Sequence, residues 1–146
     1  MARDILIVYH TQSGNTEAAA REVAEGVKTV EGAEPVLKLA GDAGTDDLVS
    51  CAAACFGTPD YMGYMAGMMK DFFDKTQVPA EGKVNDKPYG IFMTYAGKGG
   101  GAVESVQTMC RVLKMKEAAE PVRVKNAPDE DAKRELRKLG AAVASA

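Results

Sequence analysis

Six polar or small residues directly follow a short aliphatic run near the start of the chain: Thr11, Gln12, Ser13, Gly14, Asn15 and Thr16. The aliphatic run predicts a buried strand, and the alanine-rich segment after the polar stretch predicts a helix. The first turn of a helix exposes unpaired backbone N–H groups and has partial positive charge. Hydroxyl and amide side chains with a glycine at this point predict a seat for a phosphate that needs neither a lysine nor a metal.

A simpler interpretation of this first stretch is an ordinary helix cap provided by Ser13 or Asn15. A cap needs only one such residue, whereas six stand here in succession, and this favours the phosphate. No Gly-Lys-Ser/Thr follows, so the stretch is not a Walker A loop, and it lacks the G-x-G-x-x-G spacing of a dinucleotide-binding turn. We therefore expect a monophosphate.

A second candidate stretch, residues 57–65, reads GTPDYMGYM and follows another predicted strand. Aromatic and thioether side chains at the end of a strand suggest that a flat ligand stacks there, and the central glycine permits a positive φ. Methionines at helical spacing more commonly belong to a core, and we assign Met68 and Met69 that role, but not Tyr61 or Met62. The candidate ligand contacts of this stretch are Thr58, Pro59, Asp60, Tyr61, Met62 and Gly63.

A third, glycine-rich stretch follows the strand predicted at residues 89–95. Four glycines lie within residues 97–101, so backbone groups there can come close to a ligand. A flexible linker has a similar composition, but the strand before this stretch and the helix after it disfavour that alternative. The candidate contacts are Tyr95, Ala96, Gly97, Lys98 and Gly99.

The three stretches lie between elements that alternate regularly along the chain. Apolar runs predict strands at residues 4–9, 35–39, 52–57, 89–95 and 121–124. Apolar residues three or four positions apart predict helices at residues 14–30, 65–75 and 102–114, and from Pro128, as a first-turn proline, onwards. This order predicts one α/β domain over residues 1–146, a three-layer sandwich with a five-stranded parallel sheet between helices. Ligands bind such sheets beyond the carboxyl ends of the strands, where all three stretches fall.

The composition disfavours several classes of function. The 146 residues have a formal net charge of −3, which argues against a nucleic-acid-binding protein. No apolar run approaches the roughly 18–20 residues of a membrane span, and no secretory signal is recognisable, so we expect a cytoplasmic protein without membrane contact. Three cysteines and one histidine complete neither a disulfide framework nor a metal site, and we expect the cysteines to be small buried side chains.

The sequence resembles the flavodoxin-like superfamily in its motifs and in the order of its elements. The first stretch resembles the T-x-S-G-N-T loop that holds the phosphate of FMN in that superfamily. Residues 57–76, GTPDYMGYMAGMMKDFFDKT, and the glycines of residues 97–101 resemble flavodoxin-like NAD(P)H:quinone oxidoreductases. The resemblance implies FMN as the cofactor and a strand order of 2-1-3-4-5. It also implies that the second and third stretches flank the flavin ring, with the backbone of Met62 and Gly63 near flavin N5.

Two departures from the quinone reductases favour an electron carrier. Those enzymes have an extra segment before the last strand, whereas here Lys114 passes almost directly to Pro121, and Asp60-Tyr61-Met62 stands where they have an arginine. The chain instead resembles a short-chain flavodoxin in length. The leading interpretation is an FMN-binding protein that exchanges electrons with redox partner proteins or a small-molecule acceptor. An FMN-dependent NAD(P)H:quinone oxidoreductase and a flavodoxin-fold protein without flavin remain alternatives, and the oligomeric state stays open.

Overall fold

A largely parallel β-sheet positions the three candidate stretches in the computed structural model, which describes residues 2–146. Its strands are β1 (Arg3–Tyr9), β2 (Ala33–Leu39), β3 (Ala53–Tyr61), β4 (Tyr64–Met65), β5 (Pro88–Tyr95), β6 (Lys116–Glu117) and β7 (Val122–Lys125). Its helices are α1 (Asn15–Lys28), α2 (Thr45–Ser50), α3 (Gly67–Thr76), α4 (Ala102–Val112) and α5 (Glu130–Ala144). Strands and helices therefore alternate along the chain as predicted.

The strand order confirms the flavodoxin-like arrangement. Strands β2, β1, β3 and β5 lie side by side in parallel, and β6 and β7 both pair with the outer edge of β5. If β5 is counted as the fourth main strand and β7 as the fifth, the order is 2-1-3-4-5. Two short strands add to the five that were predicted: β4, antiparallel to β3, and β6.

Buried side chains cover both faces of the sheet, which explains why the strands are almost continuously apolar. Successive strand residues point to opposite faces, so Ile5 and Ile7 join a core cluster with α1 and α5. Leu6 and Val8 join the other core cluster, together with residues of α2, α3 and α4. The observed layers are thus helices, sheet and helices. This packing fixes the carboxyl ends of β1, β3 and β5, and so the places from which the candidate stretches start.

Strand β3 is longer than predicted and turns the second stretch into a hairpin. We expected the strand to end at Gly57, but it continues to Tyr61 and then pairs with β4. Strand β1 accompanies β3 only as far as Gly57, whereas β5 pairs with it as far as Pro59. Pro59 therefore has a neighbouring strand on one side only, and this is a position that tolerates the missing N–H of proline.

Three further boundaries differ from the prediction. Helix α3 begins at Gly67 rather than at Met65, which pairs with Asp60 in the hairpin. Helix α5 has Asp129 as its N-cap, so the assignment of Pro128 to the first turn is wrong. Residues 114–121, expected to form a direct connection, contain β6, which pairs with the beginning of β5.

Candidate functional site

One cavity brings the three candidate stretches together at the carboxyl edge of the sheet. Its volume is about 420 Å³. The lining comes from the turn before α1 and its first residues, the end of β3, and the end of β5 with the residue after it: Gln12, Ser13, Asn15, Thr16, Pro59, Asp60, Tyr61, Thr94, Tyr95 and Ala96. Nine of these ten residues are predicted contacts, and Thr94 is the addition, so residues from all three stretches line one cavity.

The start of helix α1 provides backbone donors at this cavity. The N-cap residue is Gly14, with a φ of 96° that glycine adopts readily. Because glycine has no side chain, the alternative interpretation of a cap by Ser13 or Asn15 is wrong. The Thr11 hydroxyl accepts a hydrogen bond from the Gly14 N–H at 3.0 Å and so holds the turn. The first N–H groups of a helix have no partner within it, and here, with the positive end of the helix dipole, they suit an anion.

Two buried hydroxyls connect the first and third stretches. Thr16 in α1 and Thr94 in β5 are 2% and 4% exposed, and their Oγ1 atoms lie 2.7 Å apart, although the residues are 78 positions apart in the sequence. Sequence reasoning did not identify Thr94. The available signal is a single polar side chain near the end of the apolar strand PYGIFMTY, where a buried hydroxyl needs a hydrogen-bond partner.

The second stretch ends in a tight turn that projects from the sheet. Tyr61 and Tyr64 pair across Met62 and Gly63, whose φ angles of 58° and 80° are those of a type I′ turn. The Tyr61 hydroxyl donates to Gln12 Oε1 at 2.8 Å and so connects the hairpin to the first stretch. Partial burial raises the pKa of Tyr61, which keeps the phenol protonated and able to donate.

Asp60 accepts three backbone hydrogen bonds at the rim of the cavity. Its Oδ1 atom accepts from the Gly63 N–H at 2.8 Å, within the hairpin. Its Oδ2 atom accepts from the N–H groups of Gly100 and Ala102 at 3.0 and 3.2 Å. Ala102 is the first residue of α4, so a carboxylate on the second stretch satisfies a backbone donor at the start of the helix that follows the third.

Three large apolar side chains of the hairpin and of the start of α3 are exposed. Met62 is fully exposed, and Tyr64 is 43% exposed. Met68 is 42% exposed, so its assignment to the core is wrong, whereas the assignment of Met69, which is 0% exposed, is confirmed. Met62 and Tyr64 belong to the hairpin, and Met68 belongs to the first turn of α3.

Eight predicted contact residues do not line the cavity. The buried Thr58 hydroxyl donates to the Pro59 carbonyl and accepts from the Ala66 N–H, and it therefore holds the hairpin. Gly99 lies against the Tyr95 ring, where an added Cβ would be 2.9 Å from Cδ1. As ligand contacts the eight stay predictions: Thr11, Gly14, Thr58, Met62, Gly63, Gly97, Lys98 and Gly99.

Comparison with known proteins identifies the family. The family model described as Flavodoxin matches residues 7–140. The chain belongs to the flavodoxin family. A flavodoxin of Aquifex aeolicus is 35% identical over 108 residues, which are 72% of this chain and 58% of that protein. An NAD(P)H dehydrogenase (quinone) of Geobacter sulfurreducens is 33% identical over 130 residues, with 72% of this chain and 64% of that protein covered.

The chain thus spans about three-fifths of the length of these curated relatives. A solved structure of a flavodoxin from the domain Archaea superposes with a TM-score of 0.87 at 23% identity and covers 97% of this chain and 96% of that one. This likeness concerns the fold, and it agrees with the strand order described above.

Membership of the flavodoxin family implies FMN as the cofactor, and the residues present fit that group. The uncapped start of α1 suits a phosphate, while Pro59, Tyr61 and Tyr95 give the same cavity apolar and aromatic surface for a flat ring. Within residues 2–146, no three histidine, cysteine or acidic side chains are grouped where they could hold a metal ion. Among the helices of those residues, none is long and apolar enough to cross a membrane.

Proposed function

We propose that this flavodoxin binds FMN in the 420 Å³ cavity and acts as an electron carrier. The supporting observation is that one cavity joins an uncapped helix start to aromatic side chains of two other stretches. Its volume lies within the roughly 300–1,000 Å³ of small-molecule sites. When bound, FMN supplies one- and two-electron redox chemistry, and the protein supplies binding, orientation and electrostatics.

In this proposal the first stretch binds the phosphate. Ser13, Asn15 and Thr16 line the cavity at the start of α1, and their backbone N–H groups and side chains are the donors available there. None of the ten lining side chains has a positive charge, and one of them, Asp60, has a negative charge. Phosphate binding therefore depends on N–H groups, hydroxyls and the helix dipole rather than on an ion pair.

The second and third stretches provide the surfaces for the flavin ring. Pro59 and Tyr61 come from β3, and Tyr95 and Ala96 come from the end of β5, so the two groups belong to neighbouring parallel strands. Two tyrosines at these positions offer aromatic surfaces for stacking. The exposed side chains of Met62 and Tyr64 belong to the same hairpin as Tyr61, which lines the cavity. We propose the tip of this hairpin as the place where a redox partner protein or a small-molecule acceptor approaches.

A second candidate function is FMN-dependent reduction of quinones by NAD(P)H. The observation in its favour is the similarity to the relative from Geobacter sulfurreducens, whose name is NAD(P)H dehydrogenase (quinone). The carrier ranks first because the relative named flavodoxin has the slightly higher identity.

Flavin titrations of the purified protein test both functions. We expect FMN to bind more tightly than riboflavin, because riboflavin lacks the phosphate, and we expect no NAD(P)H oxidation when a quinone is added. Turnover with NAD(P)H and a quinone would contradict the carrier function and support the quinone reductase function. Failure to bind either flavin would contradict both functions and favour a protein that keeps the fold without the cofactor.

We also propose that residues 1–146 act as one FMN-binding domain in the cytoplasm. The family model matches residues 7–140, which is most of the chain. The three cysteines are free and buried, a usage typical of a reducing compartment. Cell fractionation of a tagged chain checks the location.

A further inference from the structure

Asp60 combines features that the proposed function does not use. It lines the cavity, it is half-buried, and each of its two carboxylate oxygens accepts hydrogen bonds from backbone N–H groups. None of the ion pairs within residues 2–146 includes it. Hydrogen bonds to an ionised acceptor are about twice as strong as neutral ones. The negative charge is therefore compensated by donors from two separate parts of the chain.

Those donors do not line the cavity themselves; they belong to two segments bonded to Asp60, which we call the two walls. Gly63 lies in the hairpin turn after β3, whereas Gly100 and Ala102 lie at the end of the third stretch and the start of α4. The two walls are also in direct contact, because a Cβ added to Gly101 would lie 2.1 Å from the Gly63 carbonyl oxygen. The carboxylate and this close approach together fix the separation of the walls.

We propose that Asp60 is a positioning residue that sets the spacing between the hairpin and the third stretch, and so prepares the flavin-ring part of the site before the cofactor binds. This inference rests on the proposed function. It follows that both oxygens are required. An asparagine has one oxygen and one NH2 group, so it can accept from Gly63 or from the Gly100 and Ala102 pair, but its NH2 group then faces the other donors.

The test compares Asp60→Asn and Asp60→Ala with Asp42→Asn, using FMN and riboflavin as two probes. Asp42 is an exposed acid after β2, at the same edge of the sheet, so its variant loses the same charge without touching the site. We expect both Asp60 variants to bind FMN and riboflavin about tenfold more weakly or worse, since charge-assisted hydrogen bonds that order the ring walls are lost. The ratio of the two affinities in the Asp60 variants should equal that in Asp42→Asn, because the phosphate seat is intact and the same charge is lost, and Asp42→Asn binds riboflavin as the wild type does.

Amide spectra of the cofactor-free protein provide a readout independent of flavin binding. In Asp60→Ala the amide proton resonances of Gly63, Gly100 and Ala102 move upfield together, because all three lose a carboxylate acceptor. Amides of the central strands, such as those of Ile7 and Ile91, keep their positions and show that the fold is intact.

Gly101→Ala gives a second route to the same result, since it pushes the two walls apart while Asp60 stays in place. It should weaken FMN and riboflavin binding by similar factors. The proposal is overturned if Asp60→Asn binds both flavins as tightly as wild type, if it weakens FMN binding alone, or if Gly101→Ala leaves both affinities unchanged. A wild-type protein that binds neither flavin would instead overturn the proposed function.

Discussion

The buried hydroxyl pair of Thr16 and Thr94 allows a quantitative test of how the site is held together. The two Oγ1 atoms are 2.7 Å apart, and both residues are almost inaccessible to solvent. Replacing either threonine with valine keeps the side-chain shape but leaves the other hydroxyl without its partner. An unsatisfied buried hydroxyl costs about 1–3 kcal/mol. We therefore expect Thr16→Val and Thr94→Val each to lower the free energy of unfolding of the cofactor-free protein by roughly 1–2 kcal/mol, the lower part of that range.

The double variant separates this reasoning from simple loss of packing. When both hydroxyls are replaced by methyl groups, no polar group stays unsatisfied, and such a replacement can be nearly neutral. The expected loss for Thr16→Val/Thr94→Val is thus below about 1 kcal/mol. The coupling energy is then roughly 1–4 kcal/mol, well above the few tenths found for independent sites.

Urea unfolding of the four proteins without flavin, followed by far-ultraviolet circular dichroism, measures the cycle. The slopes of the transitions should agree among the variants, since the surface exposed on unfolding does not change. Strictly additive losses in the double variant would refute the reasoning, because they would mean that each hydroxyl is satisfied independently of the other.

Three further outcomes follow from the structure. Gly57→Ala should destabilise the protein by about 1–3 kcal/mol or more, because the new Cβ would lie 2.1 Å from Phe92 Cζ; an unchanged urea midpoint would contradict this. Burial raises the pKa of Cys55 to about 12, so iodoacetamide at pH 8 should label this thiol only after unfolding. Labelling of the folded protein as fast as that of the amino acid cysteine in solution would contradict the burial of Cys55. FMN affinity should rise with added salt, because screening weakens the repulsion between the phosphate and a protein of net charge −3. Calorimetric titrations at low and moderate salt measure this affinity. A steady decline with salt would indicate an ion pair in the site.

The order of the main elements was predictable because each has a strong local signal. Strand β1 is buried on both faces and so appears as a continuous aliphatic run, and α1 and α4 have apolar residues at helical spacing. The extension of β3 to Tyr61 was not predictable in the same way. Residues 57–60 contain a glycine, a proline and an aspartate, all of which disfavour strands, and their extended conformation depends on pairing with the distant strand β5.

The candidate site was predictable where its residues are neighbours in the sequence and not where they meet through the fold. The six residues from Thr11 to Thr16 have a pattern that local chemistry explains, and four of them line the cavity. The partner of Thr16 lies 78 positions away, and two of the three donors to Asp60 lie 40 and 42 positions away. A single threonine or aspartate gives no indication of such a partner, so these contacts required the strand order and register.

Direct hydrogen bonds link the segments that surround the cavity. Thr16 connects the first stretch to Thr94 at the end of β5, and Gln12 connects the first stretch to Tyr61 of the hairpin. Asp60 connects the hairpin to Gly100 and Ala102, at the end of the third stretch and the start of α4. Each link joins residues at least 40 positions apart, so each holds together segments that are distant in the sequence. A site that is already ordered loses less conformational entropy when it takes up a ligand. In the proposed function, this order is what allows neutral donors and aromatic surfaces to bind an anionic cofactor in a protein whose own net charge is negative.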